Sequence, residues 1–251
     1  SAGRLDEGTS FQFDVPKVRA SLLGYRAAGY AVLSTTLHPD ARKGKPRYRS
    51  NVGLKIHDYK VFREDADVLN SRGSLLSAEM RIRDLRFDGS RPEVEMKISL
   101  PEDRIPDMRT YNLLWGESSP FQIVSGSGTC TGVFAFSDRE GSMKGELVLA
   151  APQVKVLLEG TSITANFQFN GLLQNHDIAS QTYDLAGSNV VLDHVYVGPS
   201  PSDENWVLSC NLKEMEMTWE KPLRFSGLVS LAMTDTVPLV RYFTEQHQFM
   251  K

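Results

Sequence analysis

The chain has 251 residues, 41% hydrophobic and 24% charged, and 28 basic residues stand against 31 acidic ones for a net charge of −3. That length is enough for one large domain or two small ones with a substantial core, and the near balance of charge excludes a global field that would draw the chain onto nucleic acid. The chain begins Ser-Ala-Gly rather than Met, which leads to the expectation of a processed product or an excised fragment from which a leader or anchor has been removed.

In chain order, the first candidate element is a helix over Pro16 to Tyr30, with Asp14 near its start and Val18, Leu22 and Tyr25 or Arg26 at helical spacing. Gly24 and Gly29 with the flanking aromatics suit a strand in the same place. The stretch Ala20 to Leu37 is the nearest approach to a membrane span, but Arg26, two glycines and several hydroxyls exclude it. Next comes a basic loop, with Arg42, Lys43, Lys45, Arg47 and Arg49 around Gly44 and Pro46. A solvated loop, a contact with an anionic membrane surface and a nucleic-acid contact compete to explain it. The last is the weakest, given one interleaved aromatic, Tyr48, and the acidic total.

Strand patterns dominate from Asn51 onward. Pro101 and Pro106 predict an irregular crossing from Pro101 to Trp115, and the Gly-rich run Ser125 to Thr129 predicts a turn entering a strand. Phe134 and Phe136 are chosen as one face of the strand that follows. Asp138 to Gly141 and Glu159 to Thr161 predict tight hairpins, so their flanking strands are antiparallel neighbours. Leu147 and Leu149 lie between those turns, and Val154, Val156 and Leu158 alternate with Lys155, Leu157 and Glu159. The clearest pattern sets Ile163, Ala165, Phe167 and Phe169 against Thr164, Asn166, Gln168 and Asn170, a strand with one apolar face. Met215, Met217 and Trp219 alternate likewise with Glu214, Glu216 and Thr218. A short helix is expected after Pro238.

These elements predict a single all-β, mainly antiparallel domain over residues 1–251: a curved meander forming an open groove or a flattened sandwich, with one or two short helices. Residues 1–50 form an N-terminal segment of unassigned pattern, 51–235 the meander and 236–247 the terminal helix.

Reactive chemistry is sparse. The pairs His57-Asp58, His176-Asp177 and Asp193-His194 are adjacent, and neighbours on a strand point to opposite faces unless they sit in a turn; His38 and Asp40 flank a proline but stand alone. No metal site is expected from them. The Gly-rich run lacks the Lys-Ser/Thr and helix of a phosphate loop, and no Gly-x-Ser-x-Gly is present. No acid–base pair stands out, so neither catalysis nor a cofactor is expected. Cys130 and Cys210 are either a disulfide closing a long loop or two buried free thiols in adjacent strands.

Several stretches in shared order resemble the AsmA-like family of Gram-negative envelope proteins, TamB-type members included. They are Ile105 to Asn112 (IPDMRTYN), Val124 to Gly128 (VSGSG), Gly145 to Ala150 (GELVLA), Tyr183 to Ser188 (YDLAGS), Trp206 ahead of two strands, and Gly227 to Val240 (GLVSLAMTDTVPLV). The resemblance covers about Leu100 to Phe243, without the family's N-terminal membrane helix and much longer chain. It implies a periplasmic, bridge-like lipid-transfer module, membrane-anchored in its full-length form, serving phospholipid transport or outer-membrane homeostasis and carrying no catalytic residues. Under it Phe134, Phe136, Leu147, Leu149, Val156, Leu158, Ile163, Phe167, Phe169, Met215, Met217 and Trp219 become candidates to line a lipid groove. Arg42, Lys43, Lys45, Arg47 and Arg49 become candidates for anionic headgroups, with a phospholipid and a membrane surface as partners. The competing expectation is a closed β-sandwich acting as an assembly scaffold, free of lipid, with an exposed sheet edge for a protein partner.

Overall fold

A computed structural model describes residues 8–22, 25–40, 47–63, 66–70, 75–85, 92–114, 119–177, 182–197, 206–218, 224–237 and 240. Its strands are β1 (Thr9–Leu22), β2 (Tyr25–Asp40), β3 (Arg47–Arg63), β4 (Ala66–Asn70), β5 (Leu75–Leu85), β6 (Glu93–Ile105), β7 (Phe121–Ser125) and β8 (Gly128–Ser137). They continue as β9 (Ser142–Leu158), β10 (Thr161–Leu173), β11 (Asn175–Asp177), β12 (Thr182–Asp184), β13 (Asn189–Val197), β14 (Val207–Thr218) and β15 (Arg224–Met233). All fifteen belong to one antiparallel sheet. Four rows consist of two strands end to end (β4 with β5, β7 with β8, β10 with β11, β12 with β13), so the fifteen strands make eleven rows in chain order. Among the described residues β1 and β15 do not pair with each other, and the sheet stays open. A closed sandwich of two mutually covering sheets is therefore not the architecture.

The N-terminal expectation is corrected. Residues 16–22 form the end of β1 and 25–30 the start of β2, the two strands paired from Thr9 with Leu37 to Leu22 with Tyr25. Pro16 is tolerated because β1 is an edge row, where a missing N–H costs no ladder bond. Residues 9–22, 25–40 and 47–50 therefore belong to the same sheet as the meander. The irregular crossing is also narrower than expected. Pro101 to Ile105 complete β6, and only then does a 3-10 helix, Met108–Leu114, take over; Trp115 lies outside the described residues. Of the expected terminal helix, 236–247, only residues 236, 237 and 240 are described; Val240 N–H donates to the Thr236 carbonyl at 3.0 Å.

The predicted hairpins at 138–141 and 159–160 join β8 to β9 and β9 to β10. Gly126 and Ser127 form the break between β7 and β8, where the Gly-rich run was expected to turn. Beside that break β6 has ended, leaving the flank of β7 open. Asn112 closes it: its side-chain amide donates to the Ile123 carbonyl and accepts from the Ile123 N–H, both at 2.8 Å, as a neighbouring strand would. Ser188 serves similarly between β12 and β13, its buried hydroxyl accepting from Leu172 N–H at 2.8 Å.

A line of irregularities crosses most of the sheet. It runs through the register shifts at Val15/Val18 and Ala28/Tyr30, Asp58 with φ 47°, the shift at Leu100/Asp103, the β7–β8 break, Gln153 with φ 49° and His194 with φ 49°. Bulges bend a strand and sharpen its twist, and repeated at one height they bend the sheet. Much of the buried core gathers along this bend. Ile105, Met108, Ile123, Cys130, Ala151 and Val154 form one cluster, and Ala165, Val195, Val197 and Trp206 a second.

One glycine is required by contact as well as by conformation. A Cβ on Gly227, whose φ is 157°, would lie 1.6 Å from the Glu214 carbonyl oxygen, beside the bulge at Leu212/Glu214. Gly227→Ala should cost about 1–2 kcal/mol in urea melts, limited because the edge strand β15 can shift outward.

Candidate functional site

Residues paired across an antiparallel ladder share a face of the sheet, so the register traces one face through all eleven rows. On β1, Phe11, Phe13 and Val15 stand opposite Thr35, Leu33 and Ala31 of β2. Leu33 and Ala31 face Leu54 and Ile56 of β3, and Leu54 and Val52 face Ala78 and Met80 of β5. Those two meet Ile98 and Met96 of β6, which meet Phe134 and Phe136 of β8. Leu147 and Leu149 of β9 face Gly171 and Phe169 of β10, and Phe169 and Phe167 face Val190 and Leu192 of β13. Cys210 and Leu208 of β14 follow, then Leu231 and Met233 of β15.

The opposite face is polar and charged. Glu79 pairs with Lys97, Arg81 with Glu95, and Arg83 donates to Glu95 at 3.1 Å. These exposed pairs contribute little stability each, but they keep that face wet. Strand alternation thus divides the protein into one apolar and one solvated surface.

Eleven of the twelve expected groove residues fall on the apolar face: Phe134, Phe136, Leu147, Leu149, Val156, Leu158, Ile163, Phe167, Phe169, Met215 and Met217. Trp219 lies outside the described residues. The choice between the two faces of β8 is decided by Val133, which turns to the polar side and is 42% exposed. Missed were the contributions of β1, β2, β3, β5, β6, β7, β13 and β15. Phe11, Phe13 and Val15 alternate with Gln12 and Asp14 in plain period two, a signal that was there to be read.

The face has two parts. At the bend it is packed: Ile105 is fully buried, and the 3-10 helix covers it through Met108. Away from the bend, Val52, Leu54, Met80, Met96, Ile98, Phe134 and Phe136 are only half-buried, and no second layer of described residues lies over them. Among the described residues, only neighbours within the sheet itself shield the middle of this trough. Its rims are open, with Phe13 and Leu231 both more than half exposed. Met215, expected in the groove, is buried in the wall beside the Leu212/Glu214 bulge.

Only one acidic side chain with described surroundings stands on the apolar face. Asp103 is fully buried, its Oδ2 accepts a short hydrogen bond from the Tyr59 hydroxyl, and its Oδ1 has no partner. Burial pushes its carboxyl up to about 6. Burial likewise raises the neighbouring Cys130 thiol to about 11, with the charge of Asp103 adding to the effect, so this thiol is inert at neutral pH. Cys130 and Cys210 are both free and sit on β8 and β14, which are not adjacent rows as the free-thiol alternative supposed.

One histidine pair departs from the alternation rule. The bulge at His194 turns its ring onto its neighbour, and Nδ1 lies 2.6 Å from Asp193 Oδ1. Asn166 donates to the same carboxylate at 2.6 Å and accepts from the Gln153 N–H at 3.0 Å, so one amide ties two bulges together on the polar face. The His194 contact holds the Asp193 carboxyl below the usual carboxylate range. Among the described residues no three His, Cys, Asp or Glu side chains converge as a metal site. Of the basic loop, Arg42, Lys43 and Lys45 lie outside the described residues. Arg47 opens β3, and Arg49 is exposed on the polar face opposite His38. No described helix is long and apolar enough to cross a membrane.

Comparison of the chain with protein-family profiles, curated proteins and solved structures finds no match in any of the three.

Proposed function

We propose that this chain is a lipid-binding or lipid-transfer module that holds acyl chains on the apolar face of its sheet. The observation that carries this reading is the continuity of that face across eleven rows without a second described layer above it. Its exposure supports the reading: on the two rims of this face Phe11, Phe13, Val15, Val229 and Leu231 are each more than a third exposed. Large exposed apolar surfaces on soluble chains mark binding sites. Acyl chains fit this one because they need a dry lining and no directed polar contacts.

The resemblance to AsmA-like proteins supports the same reading and supplies its setting. In that setting the module works in the periplasm, anchored to a membrane in its full-length form, with phospholipid as cargo and a membrane surface as partner. Arg49 and the basic loop before it would then meet anionic headgroups, each charge contributing about 1 kcal/mol near the surface. No reaction is part of the function; the sheet shelters its cargo and transforms nothing.

The test is gentle extraction and mass spectrometry of the protein purified from a bacterial host. Phospholipid at one or a few molecules per chain is the expected result. A folded, monodisperse protein carrying no lipid would overturn the proposal.

A further inference from the structure

The two edge rows of the sheet are built differently. In β1 the edge is interrupted: Asp14, Pro16, Lys17 and Arg19 fall within the strand, and a bulge separates Val15 from Val18. These are devices by which natural sheets prevent edge-to-edge pairing. In β15, after Arg224, no residue through Met233 is charged and none is proline. Leu228, Val229 and Leu231 are each more than half exposed, and among the described residues β14 is the only strand paired with β15. The free side of the ladder can be assigned. Thr234 N–H bonds to the Val207 carbonyl at 3.1 Å, and alternation along an antiparallel pair then directs Ala232 and Ser230 to β14. The backbone groups of Val229, Leu231 and Met233 point to the open edge.

We propose that β15 is an assembly edge and that its partner is β15 of a second copy of this chain, paired antiparallel about a two-fold axis normal to the sheet. That rotation reverses the strand but keeps the same face up, so the apolar faces of the two copies become one. No other pairing of edges does as well. Since β1 and β15 are both odd-numbered rows they run in the same direction, and a β15–β1 contact with faces aligned would be parallel and would propagate without closing. A β1–β1 contact meets Pro16, which offers no N–H, and the bulge. An uncharged edge is compatible with itself, as an isologous contact requires. Ten residues from each copy bury on the order of 1,000 Å² in total, the lower bound for a specific interface.

The test is the mass of the full chain by light scattering and sedimentation between about 1 and 100 µM, with Val229→Lys, Leu231→Lys and, on the opposite edge, Phe13→Lys. The expected result is a dimer whose dissociation constant rises at least tenfold in both β15 variants and is unchanged in Phe13→Lys, all with the far-ultraviolet spectrum of a β-protein. The inference is overturned by a monomer at the highest concentration, by mass that grows with concentration without stopping, or by loss of the dimer in Phe13→Lys instead. A second copy adds 28.0 kDa, far more than one or a few bound phospholipids, so failure here leaves the proposed function standing, and failure of that function leaves this interface standing.

Discussion

Phe136→Asp combined with Val52→Asp is expected to strip copurifying lipid tenfold or more while the protein stays folded, whereas Ile105→Asp alone is expected to unfold it. Phe136 and Val52 are half-buried on the open trough, opposite Met96 and Met80 respectively, and neither belongs to a buried cluster. A carboxylate there keeps its water in the empty protein, so it costs little stability. An acyl chain would have to remove that water at a cost of several kcal/mol, and 1.4 kcal/mol is already tenfold in affinity. Ile105 has no accessible surface and is packed among Met108, Ile123, Cys130 and Val154. A carboxylate in that cluster should cost more than about 4 kcal/mol, comparable with the whole stability of many domains. Circular dichroism, heat melts and lipid extraction on the three proteins separate the outcomes. If the double variant unfolds as Ile105→Asp does, the open face is ordinary core and the lipid reading fails.

The period-two patterns were legible wherever strands run without a bulge. Ile163 to Phe169 declared its face because it alternates against polar residues, Val154 to Leu158 did so less sharply because Leu157 interrupts the polar side, and the hairpin residues set the direction of their neighbours. The N-terminal misreading has a specific cause. The expected helix rested on Val18 and Leu22, four residues apart, a spacing that one face of a strand and one face of a helix both satisfy; the bulge at Pro16 and Lys17 adds Val15 to the same face, three residues before Val18. Spacings of three and four are the signature of a helix, so a bulged strand counterfeits one. His194 is the same effect in small: its bulge brings together two neighbours that alternation would separate. Whether an apolar residue is wall or packed core was not legible at all. Ile98 and Ile105 share a strand and a face, yet only Ile105 lies under Met108 of the 3-10 helix. That difference is made by a segment folding back from beyond the strand, which no local pattern encodes.

The same division explains how the apolar face can carry an acid. Asp103 lies in the packed part, between Tyr59 and Cys130, away from the half-buried trough. Its carboxyl titrates at about 6 in the folded protein, raised from 3.8 by burial, so the native state holds this proton to higher pH than the unfolded chain does. Between about pH 4 and 6 folding therefore takes up a proton, and the contribution of Asp103 to stability falls as pH rises through that window, levelling above it. Asp103→Asn keeps the shape and removes the titration. Urea melts at pH 4.5 and 8 should show the variant gaining on the native protein by about 1–3 kcal/mol between the two. Tyr59→Phe removes the one donor that steadies the ionised form and should steepen the native fall. A gain that shrinks with rising pH would mean that the carboxylate is paired and charged in the fold. In that case the bend would be held by an ionic contact, and the apolar face would not be continuous through its packed end.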